Sequence, residues 1–220
     1  MNILVISPHP DDETLGAGGT LLKLRNQGHK IAWLNITMAK EEFGYSREFV
    51  ERRKIQMQKV KEEYEFDRFY NLDLEPAGLD KVSQQNFVSL VSEVFLDYKP
   101  EVIFVPYSQD VHSDHRIVFD VIYSCTKAFR YPFIKAVFEM EILSETDFAN
   151  PLNGFVPNFF VNIENYIDKK IEIMKLYESE IKELPFPRSI ENIYSLAKVR
   201  GCSSGSCYAE AFRLVKANWS

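Results

Sequence analysis

Short apolar runs alternate along the chain with longer segments whose apolar residues recur at helical spacing. The runs predict buried strands at residues 2–6, 31–37, 67–72 and 101–106. The segments between them predict helices at residues 15–27, 46–64, 87–98 and 117–128. Strands that alternate with helices form a mostly parallel sheet, so the predicted fold class is α/β, a three-layer Rossmann-like fold.

The second half of the chain is less regular. It predicts strands at residues 133–140 and 159–163, a helix after Asn165 that is broken at 185–188, and a last helix at 190–199. Residues 208–212 are predicted as a final extended or short helical piece. We expect the segment 139–164, which is rich in loop residues, to shape a binding pocket or an oligomer contact.

The loop after the first strand carries one histidine and three carboxylates between His9 and Glu13. Pro8 and Pro10 restrict its backbone, because each proline fixes its own φ and limits the residue before it. Loops at the carboxyl ends of strands bind ligands in open α/β sheets. A histidine and an aspartate three residues apart suit a metal ion. Acidic residues also suit the N-terminus of a helix without binding a ligand.

The loop after the fourth strand contains two histidines and two aspartates, namely Asp110, His112, Asp114 and His115. Packing alone does not account for such a cluster directly after a core strand. In the strand order 3-2-1-4-5, strands 1 and 4 are neighbours and the chain leaves them in opposite directions. We therefore expect both loops to meet at the carboxyl ends of strands 1 and 4, where the active site would lie.

The residue types in these loops predict a catalytic metal site. His9, Asp12 and His115 would give a zinc ion two nitrogen ligands and one oxygen ligand. Three protein ligands and one open position are typical of catalytic zinc, although iron(II) accepts similar ligands. Asp11 would stay free to take a proton from water. The predicted reaction is the metal-assisted hydrolysis of an amide.

The remaining histidines have different expected roles. His112 is placed to polarise the carbonyl oxygen of a substrate or to protonate the leaving amine, and Asp114 to orient it. His29 stands at the entrance of the second strand, at the opposite end of the sheet from His9. We predict that His29 is not a metal ligand.

Composition narrows the functional class. The chain has 220 residues, of which 45% are hydrophobic, and this fits one domain over residues 1–220. A formal net charge of -6 without a long basic run argues against nucleic acid as a partner. No apolar run approaches the ~18 residues of a membrane span, and no signal-peptide pattern opens the chain. Three cysteines fit a reducing compartment, so we expect a cytoplasmic protein without a membrane span.

Two motifs resemble those of the PIG-L/LmbE-like de-N-acetylase family, Pro8–Glu13 (PHPDDE) and His112–His115 (HSDH). The C-terminal segment Tyr208–Phe212 is similar as well. Members of this family remove acetyl groups from N-acetylglucosaminyl lipids, from precursors of inositol and malate thiols, and from chitooligosaccharides. The resemblance implies a zinc-dependent N-deacetylase whose substrate is a small N-acetylglucosamine-type conjugate or a nucleotide-linked sugar.

The resemblance also implies roles for individual residues. It assigns the metal to His9, Asp12 and His115, the general base to Asp11, and transition-state stabilisation to His112 with Asp114 as its partner.

Two substrate contacts follow from the resemblance with a weaker match. Family members grip the sugar with an arginine on the helix after the second strand, and Arg53 is the best match. The glutamate that often follows three residues later is Gln56 here. Asp73, just after the third strand, resembles a sugar-hydroxyl contact. Family members often assemble as trimers or hexamers, so a homo-oligomer of either size stays an open prediction.

Two alternatives remain open from the sequence. A Rossmann-type nucleotide-binding protein would use the glycines at 16–19, but the G-x-G-x-x-G spacing is absent and the preceding acidic residues would repel a pyrophosphate. A non-catalytic metal-binding protein would need the three ligands but neither Asp11 nor His112.

Overall fold

The computed structural model describes residues 1–218, so the last two residues of the predicted domain lie outside the described part. The described part contains seven strands: β1 (Asn2–Ser7), β2 (Lys30–Thr37), β3 (Arg68–Leu74), β4 (Val102–Pro106), β5 (Ala136–Met140), β6 (Phe159–Asn162) and β7 (Ala209–Ala217). The same part contains six α-helices: α1 (Asp12–Asn26), α2 (Arg47–Tyr64), α3 (Gln84–Tyr98), α4 (Ser113–Ser124), α5 (Ile167–Met174) and α6 (Ile190–Ser204).

All of these strands belong to one sheet with the order β3-β2-β1-β4-β5-β7-β6. The first five strands pair in parallel, whereas β7 runs antiparallel between β5 and β6. Side chains alternate across the sheet, as the pleat requires. Ile3 and Val5 face the apolar cluster that includes residues of α1, α2, α5 and α6, and Leu4 and Ile6 face the cluster that includes α3 and α4. This arrangement confirms the predicted three-layer α/β fold and the adjacency of β1 and β4.

Both chemistry-bearing loops run directly into a helix earlier than the sequence pattern predicts. Helix α1 begins at Asp12 because the Asp11 carbonyl accepts hydrogen bonds from the N–H groups of Thr14 and Leu15, at 3.0 and 2.9 Å. Helix α4 begins at Ser113, with the His112 side chain as its N-cap. The first turns of these helices therefore carry Asp12, Glu13, Asp114 and His115, and the helical backbone fixes the directions of these side chains.

The C-terminal part differs most from the sequence-based prediction. Helix α5 ends at Met174, although apolar spacing continues to Leu184, because the chain turns away and residues 178–180 form a short 3₁₀ turn. Strand β7 is nine residues long where a short piece was predicted at 208–212. None of the described helices combines the length and apolar character needed to cross a bilayer.

A buried ion pair holds helix α1 against the C-terminal part of the chain. Lys170 Nζ lies 2.7 Å from Glu210 Oε1 and donates to the Leu15 carbonyl at 2.8 Å. Glu210 also accepts the backbone N–H groups of Gly19 and Thr20, at 2.9 and 2.7 Å. The position of α1, and therefore of the loop that precedes it, is thus set by a residue almost 200 positions later.

The glycines of α1 permit this close approach. A Cβ atom at Gly18 would lie 2.6 Å from the Tyr64 hydroxyl and 3.1 Å from Lys170 Cγ. Both distances are shorter than ordinary contacts between carbon and its neighbours. Glycine is therefore required here for packing, although it weakens a helix relative to alanine.

We expect Gly18→Ala to lower the free energy of unfolding by about 1–3 kcal/mol, because the added methyl group overfills this contact. Tyr64→Phe removes the opposing hydroxyl, which donates to Thr14 Oγ1 at 3.2 Å. The double variant should therefore be more stable than the sum of the two single changes predicts. Urea unfolding of the four proteins measures this coupling, and strictly additive free energies would contradict the proposed contact.

Candidate functional site

The loop after β1 folds back on itself and places His9 beside Asp12. The backbone N–H of His9 donates to Asp12 Oδ2 at 2.8 Å, and His9 Nδ1 lies 3.5 Å from the same oxygen. Asp11, between them, has a φ of 137°, a value that side-chain-bearing residues rarely adopt. This backbone turn directs Asp11 and Asp12 to different neighbours.

The loop after β4 supplies the opposing side chains. His115 Nδ1 lies 2.8 Å from Asp110 Oδ2, and Asp110 Oδ1 accepts a hydrogen bond from Thr146 at 2.6 Å. His115 is fully buried. The Asp110 carboxylate therefore orients the His115 ring so that its Nε2 faces the first loop.

The two loops meet at one carboxylate oxygen. His115 Nε2 lies 3.3 Å from Asp12 Oδ2, close to the 3.5 Å that separates this oxygen from His9 Nδ1. His115 Nε2 is buried and has no hydrogen-bond partner within residues 1–218. An orphaned imidazole nitrogen beside a carboxylate and a second imidazole is a donor set that fits a divalent cation. The predicted ligands are thus brought together.

A second group of possible ligands shares His9. Ligand atoms of His9, His112 and Asp114 lie within 4.8 Å of one another, as do those of His9, Asp12 and His115. The group around His115 is the better match to a cation site, because it contains the buried nitrogen that lacks a partner.

The charges of these groups are strongly coupled. Burial lowers the pKa of His9, but the carboxylates of Asp114 and Asp12 outweigh it and raise the pKa to about 9. Burial raises the pKa of Asp12, and the neighbouring imidazoles of His115 and His9 outweigh it, so that this pKa is lowered. Asp12 therefore stays ionised, as a metal ligand must be.

Asp11 and His112 have pKa values that move in opposite directions. Burial and the negative charge of Asp12 raise the pKa of Asp11, and the guanidinium of Arg188 partly offsets them. Burial, with the charges of His9 and His115, lowers the pKa of His112 to about 4. His112 is thus neutral near pH 7, while Asp11 holds a proton more readily than an ordinary aspartate.

Asp114 contacts other groups than the predicted ones. Its carboxylate lies 3.2 Å from His9 Nε2 and accepts the backbone N–H of Ala77 at 2.7 Å. The contact to His112 runs through the backbone instead, because His112 Nδ1 accepts the N–H of Asp114 at 3.1 Å. Within the described chain, the Asp114 carboxylate itself makes no hydrogen bond to the His112 ring.

The two weaker sequence-based contacts lie at different places. Arg53 is buried in the site cavity, where it donates to the Pro10 carbonyl at 3.2 Å and pairs with Glu180. Asp73 lies in an adjoining surface hollow, with Lys40 Nζ 3.7 Å from its carboxylate. The hollow shares Ala39 with the cavity. Of these two residues, Arg53 lines the cavity and Asp73 does not.

The cavity beside the histidines has a volume of about 300 Å³, within the range of ligand pockets. The sequence-based reasoning missed Arg188, whose Nη1 donates to Asp11 Oδ2 at 2.8 Å and whose Nη2 lies 3.4 Å from Glu180 Oε2. It also missed Glu145 and Glu180 in the cavity wall. The prolines that precede Arg188 indicated only the end of a helix, so no local signal identified this residue.

Glu13 supports the loop from below. It is fully buried and accepts hydrogen bonds from the Asp11 N–H, the Thr14 hydroxyl and the Tyr177 hydroxyl, at 3.1, 2.8 and 2.9 Å. Burial outweighs these hydrogen bonds and raises the pKa of Glu13 to about 7. A group that binds its proton more tightly in the folded state stabilises the protein at low pH.

Comparison with known proteins identifies relatives of this arrangement. The family described as PIG-L, GlcNAc-PI de-N-acetylase, matches residues 4–126, more than half of the 220 residues. The matched region contains both loops of the site. A diacetylchitobiose deacetylase from Thermococcus kodakarensis is 23% identical over 231 residues, which cover 97% of this chain and 82% of the relative.

Solved structures share the fold at low sequence identity. An N,N'-diacetylchitobiose deacetylase from Pyrococcus horikoshii has a TM-score of 0.76 at 18% identity, over 97% of this chain and 83% of that one. The 4-carboxy-2-hydroxymuconate hydratase GalB from Pseudomonas putida has a TM-score of 0.77 at 14% identity, over 100% and 98% of the chains. Since a hydratase shares this fold, the fold alone does not determine the reaction.

We expect Glu13→Gln to flatten the pH dependence of stability in chelator-treated protein. The stabilisation by protonated Glu13 is fully present below the ordinary pKa of 4.5 and is lost as the pH rises through about 7. From about pH 5 to about pH 8, the wild type should lose about 2–3 kcal/mol more unfolding free energy than the variant. Urea unfolding at both pH values tests this, and parallel losses would refute it.

Proposed function

Because the chain belongs to the PIG-L family of GlcNAc-PI de-N-acetylases, we propose that it hydrolyses the acetamide of an N-acetylated amino sugar. The relative from Thermococcus kodakarensis, a diacetylchitobiose deacetylase, supports this substrate class. The observation that carries the proposal is the buried His115 Nε2, which has no hydrogen-bond partner within residues 1–218 and lies 3.3 Å from Asp12. The Asp11 carboxylate, which pairs with Arg188, lines the cavity beside Asp12. A small N-acetylglucosamine conjugate or nucleotide-linked sugar is the proposed substrate.

The donor set supports a catalytic metal held by His9, Asp12 and His115. Two imidazoles and one carboxylate are typical of zinc sites that keep a position open, and iron(II) is the alternative ion. When bound, such a cation supplies Lewis acidity to the amide carbonyl and to the attacking water. The protein residues around it then bind the substrate and move protons.

Asp11 is the proposed general base. Its carboxylate does not contact the partnerless nitrogen of His115 but pairs with Arg188 at 2.8 Å. Because Arg188 binds Oδ2, the other oxygen of the Asp11 carboxylate is the one that takes a proton from water as the water oxygen adds to the carbonyl carbon. A base with a raised pKa is better matched to a proton transfer near neutral pH than an ordinary aspartate.

His112 is the proposed stabiliser of the carbonyl oxygen. Its Nδ1 accepts the Asp114 N–H, so the neutral ring carries its proton on Nε2. Because the lowered pKa keeps the ring neutral, Nε2–H is a hydrogen-bond donor at physiological pH. The proton taken up by Asp11 is then transferred to the leaving nitrogen as the C–N bond breaks, which yields acetate and an amine.

The roles of Arg53 and Asp73 are proposed from their positions relative to the cavity. Arg53 lines the cavity beside Pro10 and would contact the sugar, whereas Asp73 would be reached only by a substrate that extends past Ala39 into the adjoining hollow. A cytoplasmic location, a single domain over residues 1–220 and a trimeric or hexameric assembly stay predictions. A non-catalytic metal-binding role is less consistent with the site, since Asp11 and His112 both line the cavity without being needed as ligands.

We expect the metal-loaded protein to release acetate from N,N'-diacetylchitobiose or another soluble N-acetylglucosamine conjugate. Asp11→Asn should lower kcat by about 10²- to 10⁴-fold, the usual contribution of a general base. Asp120→Asn, at an exposed position of α4, is the matched control and should retain the wild-type rate. An assay for acetate and free amine measures both products, and full activity of Asp11→Asn would contradict the proposed base.

We expect His115→Ala to abolish stoichiometric binding of zinc, because the other two ligands cannot hold the ion with comparable affinity. His29→Ala is the matched control, since His29 lies by the N-terminal amino group, outside the cavity. Metal analysis after dialysis measures zinc per chain without any assay of activity. Equal zinc content in the two variants would exclude His115 as a ligand.

A further inference from the structure

An aromatic pair stands in the cavity wall on the side of α2. Tyr45 stacks on Phe49 with ring centroids 5.5 Å apart and an interplanar angle of 23°. Both residues line the cavity and both are half-buried. The guanidinium of Arg53 lies 5.4 Å from the Phe49 centroid, so Phe49 already has charged and aromatic neighbours. Within residues 1–218, Phe49 is the aromatic or cationic group found against the Tyr45 ring, so the opposite face of Tyr45 has no such neighbour.

The backbone around Tyr45 is well ordered by local hydrogen bonds. Residues 41–43 form a 3₁₀ turn that ends at Gly44, whose φ of 85° favours glycine. The side chain of Ser46 then caps α2 by accepting the N–H of Phe49 at 3.2 Å. Tyr45 thus precedes the N-cap, where an apolar residue commonly packs on the first helical turn. This structural role of Tyr45 must be separated from any role in binding.

The order of residues along α2 gives the position of Tyr45 relative to the chemistry. Arg53 contacts Pro10 of the metal-binding loop. Phe49 lies one helical turn before Arg53, about 6 Å along the helix axis, and Tyr45 precedes the helix. A substrate whose acetamide lies at Asp11 therefore presents its more distant part to Tyr45.

The charges of the cavity lining indicate the chemical class of the substrate part that lies at Tyr45. Each cavity arginine pairs with a carboxylate, Arg53 with Glu180 and Arg188 with Asp11 and Glu180. No unpaired arginine or lysine lines the cavity within the described chain. An anionic group such as a phosphate would therefore find no free cation in the cavity lining, since Arg52, 5.4 Å from the Phe49 centroid, lies outside that lining. The C–H face of a pyranose ring is apolar and packs on an aromatic ring.

We propose that Tyr45 is a substrate-binding residue that stacks against the second sugar of an uncharged N-acetylated oligosaccharide, supported from behind by Phe49. The inference rests on the proposed function and adds to it a subsite for the unit attached to the reacting sugar. No hydrogen bond of the Tyr45 hydroxyl is found among residues 1–218, so this group is available to a sugar hydroxyl.

The experiment compares Tyr45→Leu with Tyr45→Phe on a disaccharide and a monosaccharide. Leucine keeps an apolar residue before the N-cap but removes the ring, whereas phenylalanine keeps the ring. For N,N'-diacetylchitobiose, Tyr45→Leu should raise KM about threefold to tenfold, with kcat within about twofold of the wild type. Tyr45→Phe should raise KM less, and neither variant should change KM for N-acetylglucosamine.

Calorimetric titration with the same two sugars, and thermal unfolding of each variant, complete the design. Weaker binding of the disaccharide by Tyr45→Leu at an unchanged Tm supports the subsite, even if no acetate is released and the proposed reaction is wrong. Acetate release with KM values that are unaffected, or raised equally for both sugars, overturns the subsite and leaves the reaction intact. If the wild type neither binds nor hydrolyses either sugar, both proposals are wrong.

Discussion

The sharing of one carboxylate oxygen by two imidazoles is the interaction on which the site depends. Asp12 Oδ2 lies 3.5 Å from His9 Nδ1 and 3.3 Å from His115 Nε2, although more than 100 residues separate the histidines in sequence. Only the adjacency of β1 and β4 brings these groups together, because the chain leaves the two strands in opposite directions. Such a cluster of ionisable groups is costly to bury unless an ion or a hydrogen bond satisfies each member.

Contacts around the cluster hold it in place from several parts of the chain. Asp110 orients His115, and Asp114 contacts both His9 and the backbone at Ala77. Lys170 of α5 and Glu210 of β7 fix α1 against the C-terminal part of the chain. Each metal-ligand candidate therefore has a neighbour that restricts its rotation, which is the arrangement that reduces the entropic cost of binding an ion.

Local pattern was sufficient to predict the first half of the fold and the centre of the site. Buried parallel strands give continuous apolar runs, and the loops after two of them carry an unusual density of His and Asp. The expected sheet order then predicted that His9 and His115 lie close together. The residues that were missed come from irregular segments. Glu180 and Arg188 contact Arg53 and Asp11 from the irregular segment between α5 and α6, and such tertiary contacts leave no signal in neighbouring positions.

Local sequence pattern also failed to predict the length and the pairing of the C-terminal strand. Strand β7 was predicted only as an extended or short helical piece, because its alternation is weak, yet it lies between β5 and β6 and runs antiparallel to both. The pairing of an antiparallel strand with non-consecutive neighbours depends on long-range contacts that composition does not encode. The sequence predicted Asp114 as the partner of His112 but gave no sign that the Asp114 carboxylate lies beside His9 while its N–H contacts His112.

The backbone of Asp11, with its φ of 137°, has a consequence for the residue that this position can hold. A residue with a Cβ atom in such a conformation costs of order 1–3 kcal/mol, and the cost persists only while selection retains the carboxylate. Glycine at this position would relieve the backbone cost, but it would also deprive the Arg188 guanidinium of its partner at 2.8 Å. The unusual turn at Asp11 is therefore held by a residue 177 positions later, through the same carboxylate that faces the cavity.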